Sequence, residues 1–99
     1  MNLYLISQDS NDGYDTYDCA VVAATSPEDA RKIHPSSFVT HVKDGKWMGT
    51  YSGGSNIGGE YQNDEGSWVN FSSIDCIDVE YLGKTKKERG VILSSFNAG

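Results

Sequence analysis

Residues 19–35 read CAVVAATSPEDARKIHP, and the order of residue types in this stretch decides the fold class. Cys19 to Ala24 is an apolar run with two adjacent β-branched valines, the composition of a strand buried on both faces. It stops at a helix start. Ser26 is able to accept hydrogen bonds from the first backbone N–H groups of a helix, Pro27 suits the first helical position, and Glu28 and Asp29 complement the positive end of the helix dipole. His34-Pro35 closes the helix, because proline disfavours helical geometry at the residue before it and has no N–H to donate. A short helix over about 27–33 is therefore predicted.

Outward from this unit the chain reads as strands. Leu3 to Ser7 is a short apolar strand, and the polar stretch from Gln8 to Asp18 is a loop. Phe38 to Lys43 and Lys46 to Tyr51 flank Asp44-Gly45, the pair best able to take the positive φ angles of a two-residue hairpin turn. SGGSNIGGEYQNDEG, residues 52–66, has five glycines in fifteen residues and reads as a flexible loop inserted into the domain. Ile77, Val79 and Tyr81 alternate with Asp78 and Glu80 as in a half-buried strand, which Gly83 breaks. A last strand, Val91 to Phe96, alternates less cleanly and leaves its inward face undecided. The expected order is β-β-α-β-β-β-β: a single α+β domain over residues 1–99, a mainly antiparallel sheet of about five or six strands and one short helix. One helix covers one face at most, which leaves surface for a partner site or a homodimer seam.

The first thirty residues contain six acids, Asp9, Asp12, Asp15, Asp18, Glu28 and Asp29, and no Lys or Arg. The rest of the chain balances its acids and bases, so the net charge of −6 belongs to the N-terminal third. Four aspartates recur every third residue with Tyr14 and Tyr17 between them. This balance opposes direct binding of nucleic acid, whose affinity rests on Lys and Arg contacts that release counterions. The longest apolar run, Ala20 to Ala24, is far below the ~20 residues that span a bilayer, and no basic-plus-apolar signal opens the chain. A cytoplasmic protein is expected. Cys19 and Cys76 stand far apart without a CxxC, as small buried hydrophobes of a reducing compartment.

No cofactor or catalytic role is assigned from the motifs. The aspartate ladder fails the calcium-loop register: counted from Asp9, the sixth position is Tyr14 where glycine is needed, and the twelfth is Ala20 where a bidentate Glu is needed. His34, His41, Cys19 and Cys76 have no compact zinc-ligand spacing. Gly53 to Gly59 lacks the lysine of a P-loop, and no nucleophile elbow is present. Two binding surfaces remain. In the first, Asp9, Asp12, Asp15 and Asp18 supply a negative field and Tyr14 and Tyr17 supply anchors. In the second, Trp47, Tyr51, Tyr61 and Trp68 border the glycine loop for stacking, and Lys84, Lys86, Lys87 and Arg89 in KTKKER attract phosphate. The KTKKER stretch itself reads as a solvated, hairpin-like turn.

MNLYLISQDSNDGYDTYD at 1–18, AATSPEDARKIHP at 23–35 and GVILSSFNAG at 90–99 resemble a group of small proteins carried by bacteriophages, prophages and bacterial genomes. The resemblance leaves out the glycine-rich middle, which reads as a variable insertion, and it brings no site residues with it. It implies an accessory gene of a phage or mobile element, a class rich in non-catalytic antagonists of bacterial immunity. The leading expectation is thus a non-enzymatic inhibitor that occupies a host defence component, such as a CRISPR effector, with its acidic surface where nucleic acid would lie. The alternative is a small-molecule binder that sequesters a nucleotide immune signal. A third reading is a self-associating structural or regulatory phage protein.

Overall fold

The computed structural model describes residues 1–9, 16–36, 38–50, 59–62 and 67–97. Its elements are β1 (Asn2–Ser7), β2 (Thr16–Ala24), α1 (Pro27–Ala30), β3 (His41–Lys43), β4 (Lys46–Thr50), β5 (Glu60–Gln62), a 3-10 segment (Phe71–Cys76), β6 (Asp78–Lys84) and β7 (Gly90–Asn97). The strands form two antiparallel sheets where the sequence suggested one: a four-stranded sheet in the order β6-β1-β2-β7 and a three-stranded sheet in the order β3-β4-β5. Among the described residues no helix is long and apolar enough to cross a membrane.

β1 and β2 occupy the centre of the first sheet because they hold its apolar alternation. Tyr4 lies opposite Val22 and Ile6 opposite Ala20, on the face turned to the core. Ile6 and Val22 are fully buried, and burial of side chains of this size stabilises by about 1.5–3 kcal/mol each. Trp47, Trp68, Val69, Ile77, Ala30 and Ile33 pack on the same cluster, so the loops and the second sheet supply much of the core.

The helix starts as the sequence predicts. The Asp29 N–H donates to Ser26 Oγ at 3.1 Å, and Pro27 occupies the first turn. It ends sooner. Ala30 and Arg31 donate to the carbonyls of Ser26 and Pro27 four residues back, but Lys32 and Ile33 donate only three back, to Asp29 and Ala30. The chain tightens here because Ile33, His34 and Pro35 all turn inward and are buried.

The hairpin at Asp44-Gly45 also forms as read, with φ of 53° and 71° at the two turn residues and Lys43 opposite Lys46. Its first strand starts later than predicted, at His41, and Phe38 is 67 % exposed. Part of the glycine-rich stretch is strand: Glu60, Tyr61 and Gln62 pair with Thr50, Gly49 and Met48. The remainder of that stretch, apart from Gly59, lies outside the described residues. Pairing with Gly49 explains the fit, since the Tyr61 ring occupies the space a side chain at 49 would need.

KTKKER is not a hairpin-like turn. β6 pairs with β1 and β7 with β2, so the two strands it joins stand at opposite edges of the sheet. The connection runs across the end of the sheet, where the Thr85 N–H donates to the Met1 carbonyl at 3.0 Å. Gly83 does not end β6, which continues to Lys84 with a register shift between Leu3 and Tyr4 of its partner. Gly83 and Gly90, with φ of 142° and 146°, flank the crossover in conformations that suit glycine. β7 likewise shifts register: Val91 lies opposite Val22 and Leu93 opposite Val21, and Val91, Ile92 and Leu93 are all exposed.

Gly49→Ala tests the second sheet. A Cβ there would strike the Tyr61 ring and come within 2.7 Å of the Phe38 carbonyl. Overpacking against backbone costs about 1–3 kcal/mol, so the urea midpoint is expected to fall by the corresponding amount.

Candidate functional site

The two ends of the first sheet differ in charge. At the Ser7 end the Gln8 N–H donates to the Asp18 carbonyl at 3.1 Å, and Gln8 Nε2 donates to the Tyr17 carbonyl at 2.8 Å. Buried Gln8 thereby holds the flanks of the acidic segment together and leaves the Asp9 and Asp18 side chains exposed. Asp78, opposite Ser7, is exposed at the same end. No ion pair among the described residues reaches Asp9, Asp18 or Asp78. Asp12, Tyr14 and Asp15 lie outside the described residues. Tyr17 is half-buried. Its ring packs on the core and meets His34 edge-on at 6.5 Å, because β2 extends back to Thr16 and carries Tyr17 into the sheet.

The Asn2 end carries the basic cluster. Lys84 lies opposite Asn2, Lys86 and Lys87 are exposed, and Arg89 Nε donates to both Asp29 carboxylate oxygens at 2.9 and 3.0 Å. Partial burial pushes the Asp29 carboxyl up, but the Thr25 N–H, the Arg89 guanidinium and the Thr25 hydroxyl outweigh it and hold the group below the usual carboxylate range. One acid of the N-terminal third is thus paired with one cation of KTKKER, while Asp9 and Asp18 stand at the other end of the sheet.

The aromatic group expected around the glycine loop is dispersed. Trp47 and Trp68 are core residues, 5 % and 2 % exposed, and Tyr51 lies outside the described residues. Trp47 Nε1 donates to the Val69 carbonyl at 2.9 Å, and its ring meets His34 and Phe71 edge-on, each at 5.1 Å. A chain this short fills its core with its largest side chains, and an indole buries well once its N–H has a partner. Tyr61 is half-buried over Gly49. Of the described residues of the second predicted site, Trp47 and Arg89 line one cavity.

That cavity, about 680 Å³, opens between the start of β7 and β3. Its ionisable lining residues are Lys32, His34, His41 and Arg89. His34 forms the inner wall; its Nδ1 accepts the Ser36 N–H at 2.9 Å, which places the proton of the neutral ring on Nε2. Burial lowers its pKa to about 4. His41 Nε2 lies 3.1 Å from Glu60, and Thr40 Oγ1 lies 2.8 Å from His41 Nδ1. Glu60 also accepts from Lys43 at 2.9 Å; this hydrogen bond lowers the Glu60 pKa and raises that of Lys43. Lys32, His34 and His41 gave no ligand signal in the sequence, since each makes local sense as a helix end or strand residue and only the fold brings them to Arg89.

Cys19 is half-buried and Cys76 exposed, both as free thiols. Among the described residues no three His, Cys, Asp or Glu side chains gather as a metal set. Compared with known proteins, the chain matches no family model, no curated protein and no solved structure.

His34 makes stability depend on pH. Its folded pKa of about 4 lies below the ordinary 6.5, so the unfolded chain takes up a proton first as pH falls. Stability is full above pH 6.5 and declines as pH falls towards 4, a loss of about 2–3 kcal/mol. Urea unfolding at neutral pH and near pH 4 reads this directly. His34→Asn is expected to be less stable at neutral pH and to have a flatter pH profile over that window.

Proposed function

We propose that the protein is a non-catalytic accessory protein that binds and inhibits a bacterial defence component through the acidic end of its first sheet. The observation that carries this reading is the separation of charge along the strands. Asp9, Asp18 and Asp78 are exposed at the Ser7 end, whereas at the Asn2 end Lys84, Lys86, Lys87 and Arg89 stand among the acids Glu28, Asp29 and Glu88. Arg31 reaches toward the acidic end, but its Nε is held by the Ile77 carbonyl at 3.2 Å. An exposed set of carboxylates on a fixed sheet end presents negative charge as a phosphate backbone does, and it steers the protein toward basic grooves. The resemblance of the chain ends to phage and prophage proteins supplies the setting.

For the nucleotide reading, Trp68 is in the core and Lys84, Lys86 and Lys87 are not among the residues that line the cavity with Arg89.

The test is capture of partners from a bacterial lysate, with the bound material analysed for proteins and for released small molecules. Asp9, Asp12, Asp15 and Asp18 changed together to Asn should weaken capture of the specific partner about tenfold or more, and added salt should weaken the wild type in the same way. Lys84, Lys86 and Lys87 changed to Gln should leave capture unaltered. Full-strength binding by the quadruple Asn variant, with an unchanged urea midpoint, would end this reading.

A further inference from the structure

The cavity between β3 and the start of β7 reverses the character of the rest of the protein. The chain carries a net charge of −6, yet among the described residues no carboxylate side chain lines this cavity, while Lys32 and Arg89 do. Arg89 is held for use. Asp29 takes only its Nε, and Asp29 is itself fixed by the Thr25 N–H at 3.0 Å and the Thr25 hydroxyl at 3.2 Å. The Nη groups of Arg89 form no hydrogen bond among the described residues, which leaves the forked donors that match a carboxylate or phosphate. Lys32 forms no ion pair among the described residues and adds a second cation to the lining. The lining also contains apolar side chains. Val42 and Val91 are 37 % and 38 % exposed, so a ligand body has wet hydrocarbon to cover. The volume of about 680 Å³ falls within the roughly 300–1,000 Å³ of small-molecule sites.

We propose that this cleft binds a small organic anion, with its oxyanion group on Arg89 and Lys32 and a flat apolar body against Val42 and Val91. The site is separate from the acidic end of the sheet and uses none of its residues. Asp29 acts as a positioning residue: it neutralises part of the Arg89 charge but fixes the guanidinium at the mouth of the cleft, so less ordering is required when the ligand arrives.

The experiment is an NMR titration of the ¹⁵N-labelled full chain with inorganic phosphate, adenosine monophosphate and indole-3-carboxylate, each at millimolar concentration. The organic probe with the favoured headgroup should bind about tenfold or more tightly than inorganic phosphate and shift the amides of Val42, Gly90 and Val91. The two organic arms separate a phosphate headgroup from a carboxylate one. Lys32→Gln and Arg89→Gln should each weaken binding about tenfold, whereas Lys86→Gln, an equal change of charge outside the cleft, should not. Arg89→Gln also releases Asp29, so Lys32→Gln carries the test if the Arg89 variant unfolds. Silence of both organic probes, inorganic phosphate binding as tightly as either, or equal weakening by Lys86→Gln would each overturn the proposal.

Discussion

The antiparallel pairing of β1 with β2 is the constraint on which the rest of the structure depends. It sets Ile6 against Ala20 and Tyr4 against Val22, and it leaves one free edge on each strand. β6 takes the β1 edge and β7 takes the β2 edge. With the centre occupied, the short connection between β6 and β7 has to cross the end of the sheet, and that crossing brings Arg89 to Asp29 and to the mouth of the cleft. Geometry and electrostatics at the Asn2 end both follow from a pairing choice made in the first two dozen residues.

What was legible in the sequence was local. The Ser26-Pro27-Glu28-Asp29 helix start and the Asp44-Gly45 turn are chemical requirements satisfied within four residues, and both form as read. Strand partners are not local. Glu60-Tyr61-Gln62 is too short for its alternation to mark a strand, and Gly49 makes room for Tyr61. The division into two sheets and the crossover at KTKKER were hidden for the same reason. Bordering a glycine-rich stretch, Trp47 and Trp68 look like ligand faces in the sequence; both lie in the core, and Val69 satisfies the Trp47 N–H. Of the cleft, Arg89 and Trp47 were named from the sequence for a nucleotide. Lys32 and His41 were not, since only tertiary structure unites the three segments concerned.

The described aspartates of the acidic third fall into two physical populations. Asp29 is partly buried, hydrogen-bonded and paired, and it serves the fold. Asp9 and Asp18 are exposed and unpaired among the described residues, and they cost repulsion without stabilising a contact. A functional account is needed for the second population only. This distinction replaces the uniform acidic segment of the sequence with a short end of a sheet, pinned by the two hydrogen bonds of Gln8.

The placement of β7 beside β2 also has a consequence for how the molecule is made. Thr16 pairs with Asn97 and Ala23 with Gly90, so long-range contacts join the second strand to β7. During synthesis β2 would present an unpaired apolar edge until residues 90–97 had cleared the ribosome, a template for foreign strands in the interval. Sheets closed by pairings this distant in sequence also fold slowly, typically in milliseconds to seconds. The chain is short, but its central sheet is completed only by its final strand.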